Sequence, residues 1–280
     1  MRTPAARLRE LLRIRPLVVA PFVFDGLQAK LAAAAGFEAV YMTGFGTAAA
    51  RGLPDVGLLG LSEMVENVRT IARAAEVPVV CDADTGYGNP VNVWHTVREY
   101  ERAGAAGLHL EDQAWPKRCG FLAGKQVIPL EEMVQKVRAA CAARRDPELV
   151  VIARTDALAP QGWEEALRRA RAYHDAGADL VFVDGIRTRG DMERYARSLQ
   201  GVPLVYNGQL PVAEAEACGF KLMLHIGTLL AAWDRMRAAM DELAARGEIS
   251  GGPSLDRLEE IAKLLGLEAI EAIGQRYTLG

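Results

Sequence analysis

The sequence predicts an α/β fold, a parallel (β/α)8 barrel, and three observations lead to it. The 280 residues are enough for one large core. Eight short apolar runs alternate with helix-like segments along the chain. Three helix-like segments end in a glycine just before the next apolar run, at residues 35–37, 103–105 and 176–178, as the helices of βα units commonly do.

The first four strands are predicted at residues 17–20, 39–42, 77–81 and 106–110, because these runs are short, apolar and bounded by breakers. The helices between them are predicted at residues 25–35, 62–75 and 90–103, each with a capping residue type at its start. Residues 43–60, which follow the second strand, are predicted to be a loop.

The last four strands are predicted at residues 149–153, 179–183, 202–206 and 221–224, and the helices of this half at residues 129–145, 162–176, 191–199, 212–218 and 228–246. Residues 251–253 break the chain, and one amphipathic helix, residues 255–273, is left over after the barrel closes. We therefore predict a catalytic barrel over residues 1–250 and a helical extension over residues 251–280. The extra helix needs a partner surface, on its own barrel or on another subunit.

Composition and charge exclude several classes of function. Half of the residues are hydrophobic, a quarter are charged and the net charge is −3 without any basic block, so nucleic acid is not an expected partner. No apolar run has the length of a membrane span, and residues 1–15 lack the apolar core of a signal peptide. The four cysteines form no close pair, so we expect reduced thiols and a cytoplasmic protein.

Polar side chains follow six successive predicted strands, where the active site of a parallel barrel lies. These residues are Asp82 and Asp84, Glu111, Arg154, Asp184, Asn207 and His225. A single polar residue after one strand is explained by a helix cap, but six strand ends of this kind indicate one shared site.

The acidic residues of this set predict a metal site. Asp82 and Asp84 share one face if the strand continues, and a hard divalent cation, Mg²⁺ or Mn²⁺, would relieve their repulsion. Glu111 is expected to join them, with some contacts made through water, and Asp55 is expected to act through water as well. The alternative is a helix cap followed by a solvated aspartate in a turn.

Two further features indicate a carboxylate substrate. Arg154 offers a bidentate grip on a carboxylate, although an internal ion pair with Glu111 or Asp184 is an equally open interpretation. The Gly-rich segment that begins at Thr43 and includes Gly44 and Phe45 could present backbone N–H groups to a second carboxylate or a phosphonate.

The long loop at residues 113–128 places Cys119 beside Lys117 and Arg118, and nearby cations lower the pKa of a thiol. Gly120 and Gly124 would let this loop close over a substrate. The alternative is an ordinary basic surface loop.

The motifs YMTG (41–44), DADTGYG (82–88), LED (110–112), PKRCG (116–120) and ARTD (153–156), with Asn207 at a strand end, resemble those of the isocitrate lyase and phosphoenolpyruvate mutase superfamily. The match runs in order over residues 15–245. The resemblance implies a Mg²⁺-dependent enzyme, a small-molecule carboxylate substrate, and a homotetramer, a dimer of dimers, whose last helices are exchanged between subunits.

The resemblance also implies roles for individual residues. Asp82 matches the direct metal ligand, and Asp55, Asp84 and Glu111 match outer or alternate ligands. Substrate binding is implied for Thr43, Gly44, Phe45, Gly120, Arg154, Asp184 and Asn207. Lys117 and Cys119 match the gating loop, whose cysteine is the acid that protonates the departing enolate in the lyase members. Tyr41 or a metal-linked group is the expected base.

Three positions depart from the lyase pattern. Phe121 replaces a histidine, residues 208–211 replace the usual loop after Asn207, and Asp184 replaces a glutamate. The expected function is cleavage of a methylisocitrate-type 2-hydroxy acid to a 2-oxo acid and a second carboxylate. The alternatives are a carboxyphosphonoenolpyruvate mutase-like enzyme, an oxaloacetate decarboxylase or hydrolase, and a non-catalytic metabolite-binding barrel.

Overall fold

The computed structural model describes residues 2–251 and 255–277. Eight parallel strands pair in chain order and close when β8 pairs with β1, which confirms the predicted (β/α)8 barrel. The strands are β1 (Val18–Val23), β2 (Val40–Met42), β3 (Val79–Asp82), β4 (Gly107–Glu111), β5 (Val150–Thr155), β6 (Leu180–Val183), β7 (Leu204–Gly208) and β8 (Leu222–His225).

Helices cover the outside of the barrel and its lower end. They are α1 (Pro4–Ile14), α2 (Gly26–Ala34), α3 (Gly44–Ala49), α4 (Leu61–Ala75), α5 (Pro90–Ala103), α6 (Leu130–Ala143), α7 (Leu158–Asp175), α8 (Arg189–Ser198), α9 (Val212–Ala217), α10 (Gly227–Arg246), α11 (Leu255–Leu264) and α12 (Leu267–Tyr277). None of the helices within residues 2–251 and 255–277 combines the length and apolar character needed to cross a bilayer.

The strands are buried on both faces, and alternate side chains join different clusters. Val79 and Cys81 pack outward against the helices, whereas Val80 packs inside the barrel. The same alternation places Tyr41 of β2 and Phe182 of β6 inside. Because side chains alternate between the two faces of a strand, the last residues of several strands point toward the barrel axis.

Helix α1 is not among the helices predicted from the sequence. Thr3 caps its N-terminus by accepting a hydrogen bond from the Ala6 N–H, and Pro4 occupies the first turn. Leu8 and Leu11 are buried among the interior residues of the barrel. The helix thus closes the end of the barrel opposite the polar strand ends.

The predicted helix over residues 255–273 is wrong in detail, since the structure has two helices there. The chain turns at Gly266, whose positive φ of 86° favours glycine. The described residues of α11 and α12 include no buried side chain, and α10 buries only Leu229. The predicted break at residues 251–253 lies mostly outside the described residues.

Candidate active site

The inward-facing side chains at the carboxyl ends of the strands meet at one mouth of the barrel. Asp82 follows the interior residue Val80 on β3, and Glu111 lies two residues after the inward-facing His109 on β4. Arg154 follows the interior Ile152 on β5 and pairs across the sheet with Glu111. Strand alternation and barrel closure together assemble the polar residues predicted from the sequence.

Asp82 accepts three hydrogen bonds at this mouth. Its Oδ2 accepts hydrogen bonds from the Tyr41 hydroxyl and the Gly44 N–H, each at 3.1 Å, and its Oδ1 accepts one from the Asp84 N–H at 3.0 Å. Burial alone would raise the pKa of Asp82, but nearby His109, Lys117 and Arg154 lower it to about 2. The carboxylate is therefore ionised at neutral pH.

Asp84 does not continue the strand, contrary to the prediction that it shares a strand face with Asp82. Strand β3 ends at Asp82, and Asp84 has a positive φ of 47°, a conformation that aspartate tolerates better than most residues. Burial, with the charges of Asp82 and Asp55, raises the pKa of Asp84 to about 6, although Lys117 opposes the shift. The two carboxylates still meet, but through a turn.

Lys117 lies buried between two carboxylates. Its Nζ is 2.6 Å from Asp84 Oδ1 and forms a second ion pair with Asp55. The loop that carries Lys117 is therefore folded over the barrel mouth, and the alternative of an ordinary surface loop is wrong for this part of it. The Cys119 N–H donates to the Asp55 carbonyl at 3.1 Å and holds the same segment down.

Arg154 is surrounded by acids, as the internal ion-pair interpretation expected. It donates two hydrogen bonds of 2.9 Å to Asp156, and its guanidinium lies 3.3 Å from Glu111 and 3.6 Å from Asp184. Since Arg154 also lines the central cavity, the ion pairs fix the guanidinium in the place where a substrate carboxylate would meet it.

Sequence reasoning missed Lys125, which ties the closed loop to the barrel. Its Nζ donates to the Gly120 carbonyl at 2.8 Å and pairs with Asp156 at 2.8 Å and Asp184 at 2.6 Å. A lysine within a long loop gives no sequence signal for such a contact. Asp156 could have been found, because it follows β5 directly and lies two residues after Arg154, so an extended chain turns both side chains the same way.

His109 of β4 is fully buried inside the barrel. Its Nε2 is nevertheless 2.7 Å from the Tyr41 hydroxyl and 3.6 Å from Asp82 Oδ1, so it forms the floor of the site. Burial lowers the pKa of His109 to about 4. His225, by contrast, accepts a hydrogen bond from the Gly227 N–H and does not line the central cavity.

The segment that begins at Thr43 is a helix start, which corrects the predicted loop. Thr43 caps α3 by accepting a hydrogen bond from the Gly46 N–H at 3.3 Å. The first helical N–H, that of Gly44, is bonded to Asp82. A Cβ at Gly44 would lie 2.7 Å from Asp82 Oδ2, so glycine is required for this close approach.

The prediction that neighbouring cations lower the pKa of Cys119 is wrong. Burial raises this pKa to about 11, although Arg154 and Lys117 oppose the shift. The thiol therefore keeps its proton at neutral pH. This state suits a proton donor better than a nucleophile.

A small cavity of about 30 Å³ is lined by Asp55, Asp82 and Glu111 and by the loop at residues 113–128. Eleven of the fourteen predicted site residues line it, namely Tyr41, Thr43, Phe45, Asp55, Asp82, Glu111, Lys117, Cys119, Gly120, Arg154 and Asn207. Gly44, Asp84 and Asp184 are the other three, and each contacts a lining residue. Direct contact of Asp184 with a substrate stays a prediction. A larger cavity of about 750 Å³ lies beside α1, away from these residues.

The donor set fits a hard divalent cation. Six carboxylates are buried here with three cationic side chains, so a cation would reduce the excess negative charge. Glu111 Oε1 and Asn207 Oδ1 are buried, and no partner donates to either within residues 2–251 and 255–277. Burial also raises the pKa of Glu111 well above its usual range, although Arg154 opposes the shift.

No three His, Cys, Asp or Glu side chains of the described ranges are placed as a complete direct ligand set. An all-protein cage is therefore absent from this part of the chain. Mg²⁺ does not require one, since it usually keeps several waters and takes one or two carboxylates together with substrate oxygens. Asp82 fits the role of the direct ligand, with the other acids acting through water.

Comparison with known proteins places these residues in context. Residues 8–244 match the family model described as phosphoenolpyruvate phosphomutase. The chain is 40% identical to 2,3-dimethylmalate lyase of Eubacterium barkeri over 99% of each chain. It is also 40% identical to 2-methylisocitrate lyase of Aeropyrum pernix, over 87% of this chain and 81% of that one.

Solved structures show the same architecture. Oxaloacetate acetylhydrolase in complex with 3,3-difluorooxalacetate superposes with a TM-score of 0.92 and 38% identity, over 98% of this chain and 96% of that one. Phosphonopyruvate hydrolase in complex with oxalate and Mg²⁺ superposes with a TM-score of 0.88 and 34% identity, over 99% of each chain.

Proposed function

The chain belongs to the isocitrate lyase and phosphoenolpyruvate mutase superfamily, and from that premise we propose that it is a Mg²⁺-dependent lyase for methylisocitrate-type 2-hydroxy di- or tricarboxylates. Its relatives support a carbon–carbon lyase, and 2,3-dimethylmalate and 2-methylisocitrate are the first substrates to test. The observation that carries the proposal is the placement of Cys119, whose pKa burial raises, in one small cavity with Asp82, Glu111 and Arg154.

The bound cation would polarise the 2-hydroxycarboxylate end of the substrate and stabilise developing negative charge. Asp82 would hold that cation, and the Arg154 guanidinium, which lines the same cavity, would stabilise the same negative charge. After the carbon–carbon bond breaks, the Cys119 thiol would donate its proton to the carbanion of the second product. The closed loop would keep water away from this carbanion.

We assign removal of the 2-hydroxyl proton to the acidic cluster rather than to Tyr41. Burial and the neighbouring Asp82 raise the pKa of Tyr41 well above its usual value, so the phenol stays protonated. Its hydroxyl donates to Asp82, which makes Tyr41 a positioning residue for the carboxylate that would hold the metal.

Product analysis tests the proposal against its alternatives. The purified protein is incubated with Mg²⁺ and 2,3-dimethylmalate, 2-methylisocitrate, oxaloacetate or phosphonopyruvate, and products are followed by carbon and phosphorus NMR. We expect pyruvate from the first two substrates, with propionate or succinate as the second product. Release of oxalate and acetate from oxaloacetate, or phosphorus rearrangement, without cleavage of either hydroxy acid would overturn the lyase proposal.

The last three helices bear on how the chain assembles. We propose that α10, α11 and α12 pack on another subunit of a homotetramer, because their apolar side chains are uncovered within one chain. Trp233, Met240, Leu258 and Ile270 are each more than half exposed. Apolar surface of this extent on consecutive helices is typical of an interface.

A further inference from the structure

A second, larger cavity of about 490 Å³ adjoins the catalytic centre. Phe22, Phe45, Cys119, Phe121 and Asn207 line both cavities. The two cavities therefore meet at these side chains, and Cys119 lies at their junction.

The wall of the larger cavity is apolar away from this junction. Most of it is formed by Leu122, Ile186, Leu210, Ile226, Leu229 and Leu230, and Tyr206, Gly208 and the exposed Gln209 complete the uncharged lining. The charged residue among its described lining is Arg187, which is exposed and so belongs to the rim. A carboxylate that entered this cavity would lose its water without gaining a cation deep inside.

Two of the three positions that depart from the lyase pattern lie at this cavity, namely Phe121 and the loop after Asn207. Phe121 places a phenyl ring where a polar imidazole is expected, and it lines the junction. Leu210, within the altered loop after Asn207, places a leucine on the cavity wall. Both residues contribute apolar surface to the cavity.

Because the larger cavity adjoins the small one and has a largely apolar lining, we propose that it binds an alkyl chain on the carbon that Cys119 protonates. The substrates are then 3-alkylmalates with chains of several carbons. The inference rests on the proposed lyase function. A water occupies about 30 Å³ in the liquid, so the cavity has far more room than a methyl or ethyl substituent needs.

The reaction is balanced in the same way for any chain. The bond between C2 and C3 breaks, and C2 becomes a carbonyl carbon as the 2-hydroxyl loses its proton to the acidic cluster. The electron pair of the bond passes to C3, which takes the proton of the Cys119 thiol. The products are a 2-oxo acid and an unbranched fatty acid two carbons longer than the substituent.

A substrate series tests this inference. The full-length protein is assayed with Mg²⁺ and 2-methyl-3-alkylmalates whose 3-substituent is methyl, propyl, pentyl or heptyl, and pyruvate release gives kcat/KM. Because each buried methylene adds a similar increment of hydrophobic free energy, we expect kcat/KM to rise about fourfold per methylene as far as pentyl. The methyl member, 2,3-dimethylmalate, tests the proposed function by itself.

A pair of variants tests the location of the chain. Leu230→Arg puts a cation on the cavity wall at a position that is 39% exposed, so the fold should tolerate it. We expect it to lower the ratio of pentyl to methyl kcat/KM at least tenfold. Val91→Arg, the same kind of change at an exposed position on α5 outside the cavity, should leave that ratio unchanged.

Two results would overturn the inference while the lyase function stands. One is cleavage of 2,3-dimethylmalate with a kcat/KM that falls as the 3-alkyl substituent grows. The same result is expected if another subunit fills the cavity. The other is a chain-length preference that Leu230→Arg does not change. Failure to cleave any member would overturn the proposed function and this inference together.

Discussion

At the scale of residues, the site holds an ionised carboxylate and a protonated thiol around one small cavity. Burial would raise the pKa of Asp82, but His109, Lys117 and Arg154 lower it, so the carboxylate is ionised. Burial raises the pKa of Cys119, and Arg154 and Lys117 do not outweigh it, so the thiol keeps its proton. Neighbouring positions of one site thus favour opposite protonation states.

Replacing Cys119 by serine should reduce kcat by about 10²- to 10⁴-fold, the usual contribution of a general acid. Mg²⁺-dependent binding of oxalate should remain, because Asp82 and Arg154 are untouched. Steady-state kinetics and calorimetric oxalate titration measure the two effects. Cys218→Ser, at the C-terminal cap of α9 and outside both cavities, is the matched control, and unchanged turnover of Cys119→Ser would exclude the thiol as the acid.

Single residues also show what could be predicted from the sequence. Asp82, Glu111 and Arg154 were predictable because strand period and barrel closure fix which side chains meet. Lys125 was not, since its contacts depend on the path of a loop. The state of the Cys119 thiol was not predictable either, because burial cannot be read from neighbouring charges alone.

At the scale of elements, α3 brings a backbone N–H to Asp82, the carboxylate proposed to hold the metal. The helix begins at Gly44, directly after β2, and the Gly44 N–H donates to Asp82. The sequence concealed this helix, because its glycines and threonines have low helix propensity. Capping by Thr43 and packing beside the barrel mouth overcome that preference.

Gly44→Ala should therefore weaken the site without unfolding the protein. The new Cβ would lie 2.7 Å from Asp82 Oδ2, so the carboxylate or the helix start must move. We expect about a 100-fold loss of kcat/KM, the cost of a shift near 1 Å in such a site, with little change in melting temperature. Gly190→Ala in α8 is the control, because a Cβ there meets its nearest neighbour at 3.9 Å. Full activity of Gly44→Ala would show that the close approach has no role.

At the scale of the whole molecule, the barrel provides the site and the last helices provide exposed apolar surface. The barrel class was predictable from eight alternating runs. The break between α11 and α12 was missed, because amphipathic periodicity continues through Leu265 and Gly266. The apolar cavity was missed as well, since its wall comes from the loop after β4 and from segments near β6, β7 and α10.

The double variant Leu258→Arg, Ile270→Arg should disrupt assembly, because both side chains are more than 60% exposed in one chain and would become buried in a tetramer. Light scattering should give about four times 30.3 kDa for the unaltered protein and a smaller mass for the variant. Glu259→Arg, Glu271→Arg changes polar positions of the same helices and should keep the larger mass. A monomeric unaltered protein would contradict the proposed interface.

The central claim is that one divalent cation, held by Asp82 at the mouth of the barrel, supports carbon–carbon cleavage. Titration of Mg²⁺ into metal-free protein during turnover of 2,3-dimethylmalate tests it most directly, with Asp82→Asn compared side by side. We expect no pyruvate without the metal, saturable recovery on addition of Mg²⁺, and little or no recovery in Asp82→Asn. Pyruvate release that is unaffected by a chelator, or equal recovery in Asp82→Asn, would contradict it.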